Sequence, residues 1–139
     1  MAIGAVALLL AACSSSPTPS GSPRADQSFE AGTGDLVVYS GRTEELVGPI
    51  IDRFSEETGI AVAVRYGDTA EMANLILTEG ENSPADVYFA QDAGALGAVA
   101  SEGLLATLPD DVLGQVDERI RSPDGQWIGL SSRARVVAY

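Results

Sequence analysis

The stretch Leu36-Val37-Val38-Tyr39-Ser40-Gly41-Arg42-Thr43-Glu44-Glu45 decides the fold. Its first four residues form a short, continuous apolar run, as expected for a strand buried on both faces of a parallel sheet. Ser40-Gly41 stops the run, and Thr43 is a candidate helix cap. Glu44 and Glu45 put negative charge in a first helical turn, where the helix dipole favours it. A strand that passes through a tight turn into a helix is the repeating half-unit of an α/β sheet.

The same grammar continues downstream. Leu46, Ile50, Ile51 and Phe54 share one helical stripe that Gly59 ends, with Pro49 expected to kink or restart the helix. Residues 60–66 read as a second strand ended by Gly67. Asp68 and Glu71 have capping-box spacing ahead of Met72, Leu75 and Ile76, and Gly80 closes that helix. Residues 85–89 read as a third strand, followed by a helix of small residues from Ala93 to Ser101 that Gly103 ends. A helix over 112–120, a turn at Pro123-Asp124-Gly125, and strands over 127–130 and 135–139 complete the pattern. The last strand runs to the final residue, so Tyr139 is expected to interrupt a longer chain.

The segment before Asp35 is of another kind. Residues 2–12 are an apolar run of signal-peptide length, well short of the roughly 20 residues that a spanning helix needs. Leu10-Ala11-Ala12-Cys13 resembles the bacterial lipobox, in which the cysteine is acylated and becomes the new amino terminus. Cys13 is the only cysteine, so an internal disulfide is impossible and lipidation is its expected role. No Lys or Arg precedes the apolar run, which leaves a start further upstream open. The Ser-, Pro- and Gly-rich stretch after Cys13 buries too little apolar surface to offset its ordering entropy and reads as a flexible tether. The expected organisation is therefore a signal peptide at 1–12, a tether at 13–34 and a folded lobe at 35–139.

Composition narrows the chemistry. Of 139 residues, 45% are hydrophobic, enough for a core, and the net charge of −12 with no lysine argues against phosphate-backbone binding. The chain contains no histidine, which removes the commonest catalytic base and nitrogen ligand for metals. There is no glycine fingerprint after a strand and no nucleophile elbow, so an extracytoplasmic enzyme is a remote alternative.

In open parallel sheets, ligands bind beyond the carboxyl ends of the strands. That rule selects Ser40, Gly41, Arg42 and Thr43 after the first strand, Gly67, Asp68 and Thr69 after the second, and Gln91 and Asp92 after the third. Helix amino termini begin at each place and can meet an anion, to which Arg42 adds a forked cation. Each candidate also has a structural reading. Arg42 can pair with Glu44 or Glu45, Asp68 can serve only as a cap, and Gln91 and Asp92 can cap the next helix. Tyr39 and Tyr66 read as core. Arg133 and Arg135 point the same way from one strand, and one of them should face the crevice.

Taken in order, Tyr39-Ser40-Gly41-Arg42, Glu57-Thr58-Gly59-Ile60, Arg65-Tyr66-Gly67-Asp68-Thr69, Ser83-Pro84-Ala85-Asp86-Val87 and Ser131-Ser132-Arg133-Ala134-Arg135-Val136 resemble the ferric-ion binding proteins of ABC transporters. The resemblance implies the first lobe of a type II periplasmic-binding-protein, or transferrin-like, fold, cut off before its second lobe. It implies capture of iron(III) with carbonate or a similar anion for delivery to a permease, by a monomer held outside the cell membrane through lipidated Cys13. Some relatives place a His where Thr43 stands and a Glu where Gln91 stands. The chain thus resembles the branch whose first lobe gives no metal ligand and holds the anion through arginines, here Arg42 and Arg133. Ser40, Gly41, Thr43, Asp68, Thr69, Gln91 and Asp92 would line the cleft, and the tyrosine ligands would lie beyond Tyr139. A binding protein for another oxyanion or small organic solute is the alternative.

Overall fold

A computed structural model describes residues 34–132. Strand β1 (Leu36–Ser40) leads to α1 (Glu44–Thr58), β2 (Val62–Tyr66) to α2 (Thr69–Glu79), and β3 (Val87–Phe89) to α3 (Ala93–Ser101), with a short α4 at Asp110–Leu113. The strands form a parallel sheet in the order β2-β1-β3. Strands from later in the sequence flank the first on both sides, so β1 is central, and its last four residues are buried as the apolar run requires.

Alternation along the strands gives each face of the sheet its own task. Val37 and Tyr39 point to the face where Met72, Ala73 and Ile76 of α2 and Val99 of α3 complete the core, with Ala63 and Tyr88 packed beside them. The small residues of α3 let it lie close to α2. Tyr39 and Met72 are fully enclosed. Burial of such side chains contributes about 2 kcal/mol each, which makes this face the main source of cohesion.

Glycines end the helices where expected. Gly59 and Gly103 adopt left-handed backbone, with φ of 74° and 73°, a conformation that costs a side-chain-bearing residue energy. α1 runs on through Pro49, so the proline does not restart the helix. Its missing N–H removes one backbone bond, the one that would reach the Glu45 carbonyl. The apolar stripe of α1 forms but is not the buried side: Leu46 and Ile50 are 61% and 67% exposed, whereas Val47 is buried.

Two elements differ from the sequence reading. The helix expected over 112–120 is one turn, Asp110–Leu113, followed by a separate 3-10 turn, Glu118–Ile120. Pro109 sets the start. Gly114 gives the helix little reason to continue, and the Asp117 carboxylate accepts the Arg119 N–H at 2.9 Å, which a continuous helix would direct to residue 115. The strand expected over 127–130 reduces to an isolated antiparallel bridge between Arg121 and Ile128. A turn closes it, with the Gly125 N–H on the Ser122 carbonyl. The strand read over 135–139, the tether and the apolar leader lie outside the described residues. None of the described helices is long and apolar enough to cross a membrane.

Candidate functional site

Register brings the three strand ends to one level. Ser40 pairs with both Tyr66 and Phe89, so the loops after β1, β2 and β3 leave the sheet side by side. The ladder runs one step further, through Gly41 N–H to the Phe89 carbonyl at 2.8 Å and Gly67 N–H to the Ser40 carbonyl at 3.0 Å. The loops that carry the candidates, from Ser40 to Asp92, therefore lie side by side at the carboxyl ends of the strands, the place where open parallel sheets bind ligands. Arg133 and Cys13 lie outside the described residues.

Arg42 is half-buried, with its guanidinium carbon 5.9 Å from the centre of the Phe89 ring. Among the described ion pairs none joins Arg42 to Glu44 or Glu45, the competing reading of that residue. A guanidinium over an aromatic face keeps its in-plane N–H donors available for a carboxylate, carbonate or phosphate. Phe89 was not among the sequence candidates. Its only signal is its place as the last residue of β3, beside Ser40.

Ser40 is fully buried and serves the loop itself. Its hydroxyl donates to the Arg42 carbonyl at 2.9 Å and accepts the Arg42 N–H at 3.2 Å. Thr43 takes the cap position of α1, but its side chain makes no bond to the helix backbone. It sits beside Glu45 instead and holds that carboxyl below its usual range. A backbone N–H at Glu45 also lowers that carboxyl, and the Leu46 N–H is bonded to the Thr43 carbonyl at 3.1 Å, so the start of α1 is partly satisfied from within, next to Arg42.

Asp68 and Asp92 behave mainly as caps. Asp68 precedes α2, and its N–H donates to the Glu71 carboxylate at 3.3 Å. Asp92 accepts the Ala95 N–H at 2.9 Å. Gln91 does not cap the helix: its side-chain amide donates to the Gly41 carbonyl at 2.6 Å. Thr69 lies between them, donating to the same carbonyl at 3.3 Å and accepting the Gln91 N–H at 3.2 Å. Gly41 is required by this contact, since a β-carbon there would stand 2.7 Å from the Thr69 Cα.

The described tyrosines are poorly suited to losing a proton. Burial, aided by the charge of Asp92, pushes the Tyr88 phenol up to about 12, and its hydroxyl donates to the Thr69 carbonyl at 2.7 Å. Burial raises Tyr39, as does its bond to Glu79 at 3.0 Å. Burial and then Glu44 raise Tyr66. No group of three or more His, Cys, Asp or Glu side chains among the described residues could hold a metal ion. What these loops can do chemically is offer N–H donors and a guanidinium to an anion.

This architecture is that of a solute-binding lobe, and the chain belongs to the bacterial extracellular solute-binding protein family, whose model matches residues 36–118. The Fe(3+)-binding periplasmic protein of Serratia marcescens is 36% identical over 104 residues, which cover 75% of this chain and 31% of that protein. Iron uptake protein A1 of Synechocystis is 36% identical over 132 residues, covering 94% of this chain and 35% of the relative. Iron-bound HitA from Pseudomonas aeruginosa superposes with a TM-score of 0.66 at 36% identity, over 68% of this chain and 31% of HitA. A Trichodesmium FutA structure in complex with iron and citrate gives 0.62 at 32% identity, over 68% of this chain and 30% of the other. The chain spans about a third of the length of the curated relatives it matches. Its fold is that of the first lobe of a type II periplasmic binding protein.

Proposed function

We propose that this chain is the front lobe of a substrate-binding lipoprotein that captures iron(III), together with an anion such as carbonate or citrate, for delivery to an ABC permease. The observation that carries the reading is that proteins named for iron binding match the chain in both sequence and three-dimensional form. In this scheme Arg42, with Arg133, contacts the anion, and Ser40, Gly41, Thr43, Asp68, Thr69, Gln91 and Asp92 line or shape the cleft. Hard oxygen ligands for the trivalent ion come from tyrosine phenolates of a second lobe. The lobe itself catalyses nothing, and its role is to bind and present.

Residues 1–12 act as a lipoprotein signal peptide and residues 13–34 as the tether. Cys13 anchors a monomer to the outer face of the cell membrane. Membrane hold comes from the acyl chains, and the tether lets the lobe reach the permease.

Iron(III) added as a citrate chelate to the complete protein tests the reading, because phenolate-bound iron gives a visible charge-transfer band. A saturable band is expected, and a protein that stays colourless with excess iron rules the assignment out. Residues 1–139 alone are expected to bind iron weakly or not at all. A second reading, capture of a free oxyanion, is favoured by the guanidinium of Arg42 over the Phe89 ring at the start of α1. It would show as anion binding by the complete protein with no iron dependence.

A further inference from the structure

The loops after β1, β2 and β3 are tied by a closed ring of hydrogen bonds, and the ring meets at one atom, the Gly41 carbonyl oxygen. Gln91 Nε2 and Thr69 Oγ1 both donate to it, and Thr69 Oγ1 in turn accepts the Gln91 N–H. Tyr88 holds Thr69 from beneath through its carbonyl. The Gly41 carbonyl and the Arg42 N–H belong to the same rigid peptide plane, so holding one orients the other. That N–H is itself bound to the Ser40 hydroxyl, which also grips the Arg42 carbonyl. The peptide groups on both sides of the Arg42 α-carbon are therefore fixed.

We propose that Thr69 and Gln91 are positioning residues for anion recognition, acting through the Gly41–Arg42 peptide and not by touching the anion. The inference rests on the reading of Arg42 as an anion contact. Its physical content is preorganisation: a loop already ordered does not lose that entropy again when the anion arrives. It also gives Gln91 a task in place of metal ligation. Its amide can donate to a carbonyl, whereas an ionised Glu at that place cannot.

The test is calorimetric titration of inorganic phosphate into the complete, iron-free protein, with melting temperature followed in parallel. Thr69→Val keeps the shape and removes the hydroxyl. It is expected to weaken phosphate binding about tenfold, while Thr69→Ser, which keeps the hydroxyl, stays within about twofold of the parent. Arg42→Ala is expected to weaken binding at least as much as Thr69→Val. The Arg42→Ala/Thr69→Val double variant should bind no more weakly than Arg42→Ala alone, because the clamp acts only through that arginine. Independent, additive losses overturn the inference, as does a Thr69→Val protein that loses melting temperature but binds phosphate normally. An Arg42→Ala protein with unchanged phosphate affinity instead removes the anion reading of Arg42, and the positioning role falls with it.

Discussion

Asp86 and Val37 exchange two hydrogen bonds: the Asp86 carboxylate accepts the Val37 N–H at 2.8 Å, and the Asp86 N–H donates to the Val37 carbonyl at 2.9 Å. The side chain thereby extends the β1–β3 pairing one residue before β3 begins. With three residues in β3, this contact helps to hold the register that aligns Phe89 with Ser40. Asp86→Ala leaves the Val37 N–H in the sheet centre without its acceptor and is expected to cost about 1–3 kcal/mol in urea unfolding. Asp86→Asn keeps an acceptor oxygen and should cost less. Equal losses would mean that charge, and not the strand-like bond, is what matters there.

Gly41→Ala drives a methyl group into Thr69, which sits in the clamped ring with little room to retreat. The expected loss is about 1–3 kcal/mol by chemical denaturation. A companion Gly97→Ala is a useful contrast, since nothing stands within contact of that position. Within α3 it should be neutral or stabilising by up to about 1 kcal/mol.

Tyr88 gives the fold an alkaline limit. A free phenol titrates near 10, and in the folded chain it is pushed up to about 12. Between those values the folded state holds a proton that the unfolded state has lost, so stability falls as pH rises through that window and is fully present below it. Urea unfolding at stepwise pH from 9 to about 11.5 should show the decline, and Tyr88→Phe should make it shallower, with the raised phenols of Tyr39 and Tyr66 supplying the remainder. A Phe variant with the same pH slope would place the alkaline sensitivity elsewhere.

On α1, Val47→Ala should cost about 2 kcal/mol, because the side chain is 5% exposed. Leu46→Ala and Ile50→Ala should change the stability of this chain by less than about 0.5 kcal/mol despite removing more carbon. Thermal melts of the three variants decide the point. A large loss at Ile50 would show that the stripe packs against something in solution.

The elements legible in the sequence were those whose signals are local. The run from Leu36 to Tyr39, the Asp68–Glu71 spacing and the glycines at 59, 80 and 103 each mark a boundary by backbone geometry alone, and the three parallel strands followed from them. The helix read over 112–120 failed because Asp117 competes for a backbone N–H, a choice that hydrophobic pattern does not reveal. The α1 stripe is visible in the sequence, but which side of the helix meets the sheet depends on packing with β2, so the pattern points to Leu46 and Ile50 where the structure buries Val47. The strand-end rule picks out three loops that the register does place side by side, but it gives no roles within them. Ser40, Asp68 and Asp92 proved to serve the backbone, and Gln91 the Gly41 carbonyl. The stacking of Arg42 on Phe89 depends on the β1–β3 register, a contact between residues 47 positions apart that no local pattern encodes.

Whether the lobe holds the anion side of an iron(III) site is decided by loading the complete protein with iron(III) and carbonate, reisolating it and measuring bound iron and bound anion together. Stoichiometric iron with stoichiometric anion is expected, and Arg42→Ala should retain iron poorly because the anion is lost. Reisolated protein that carries no iron, or that carries iron with no anion and no dependence on Arg42, would rule out an anion-holding role for this lobe.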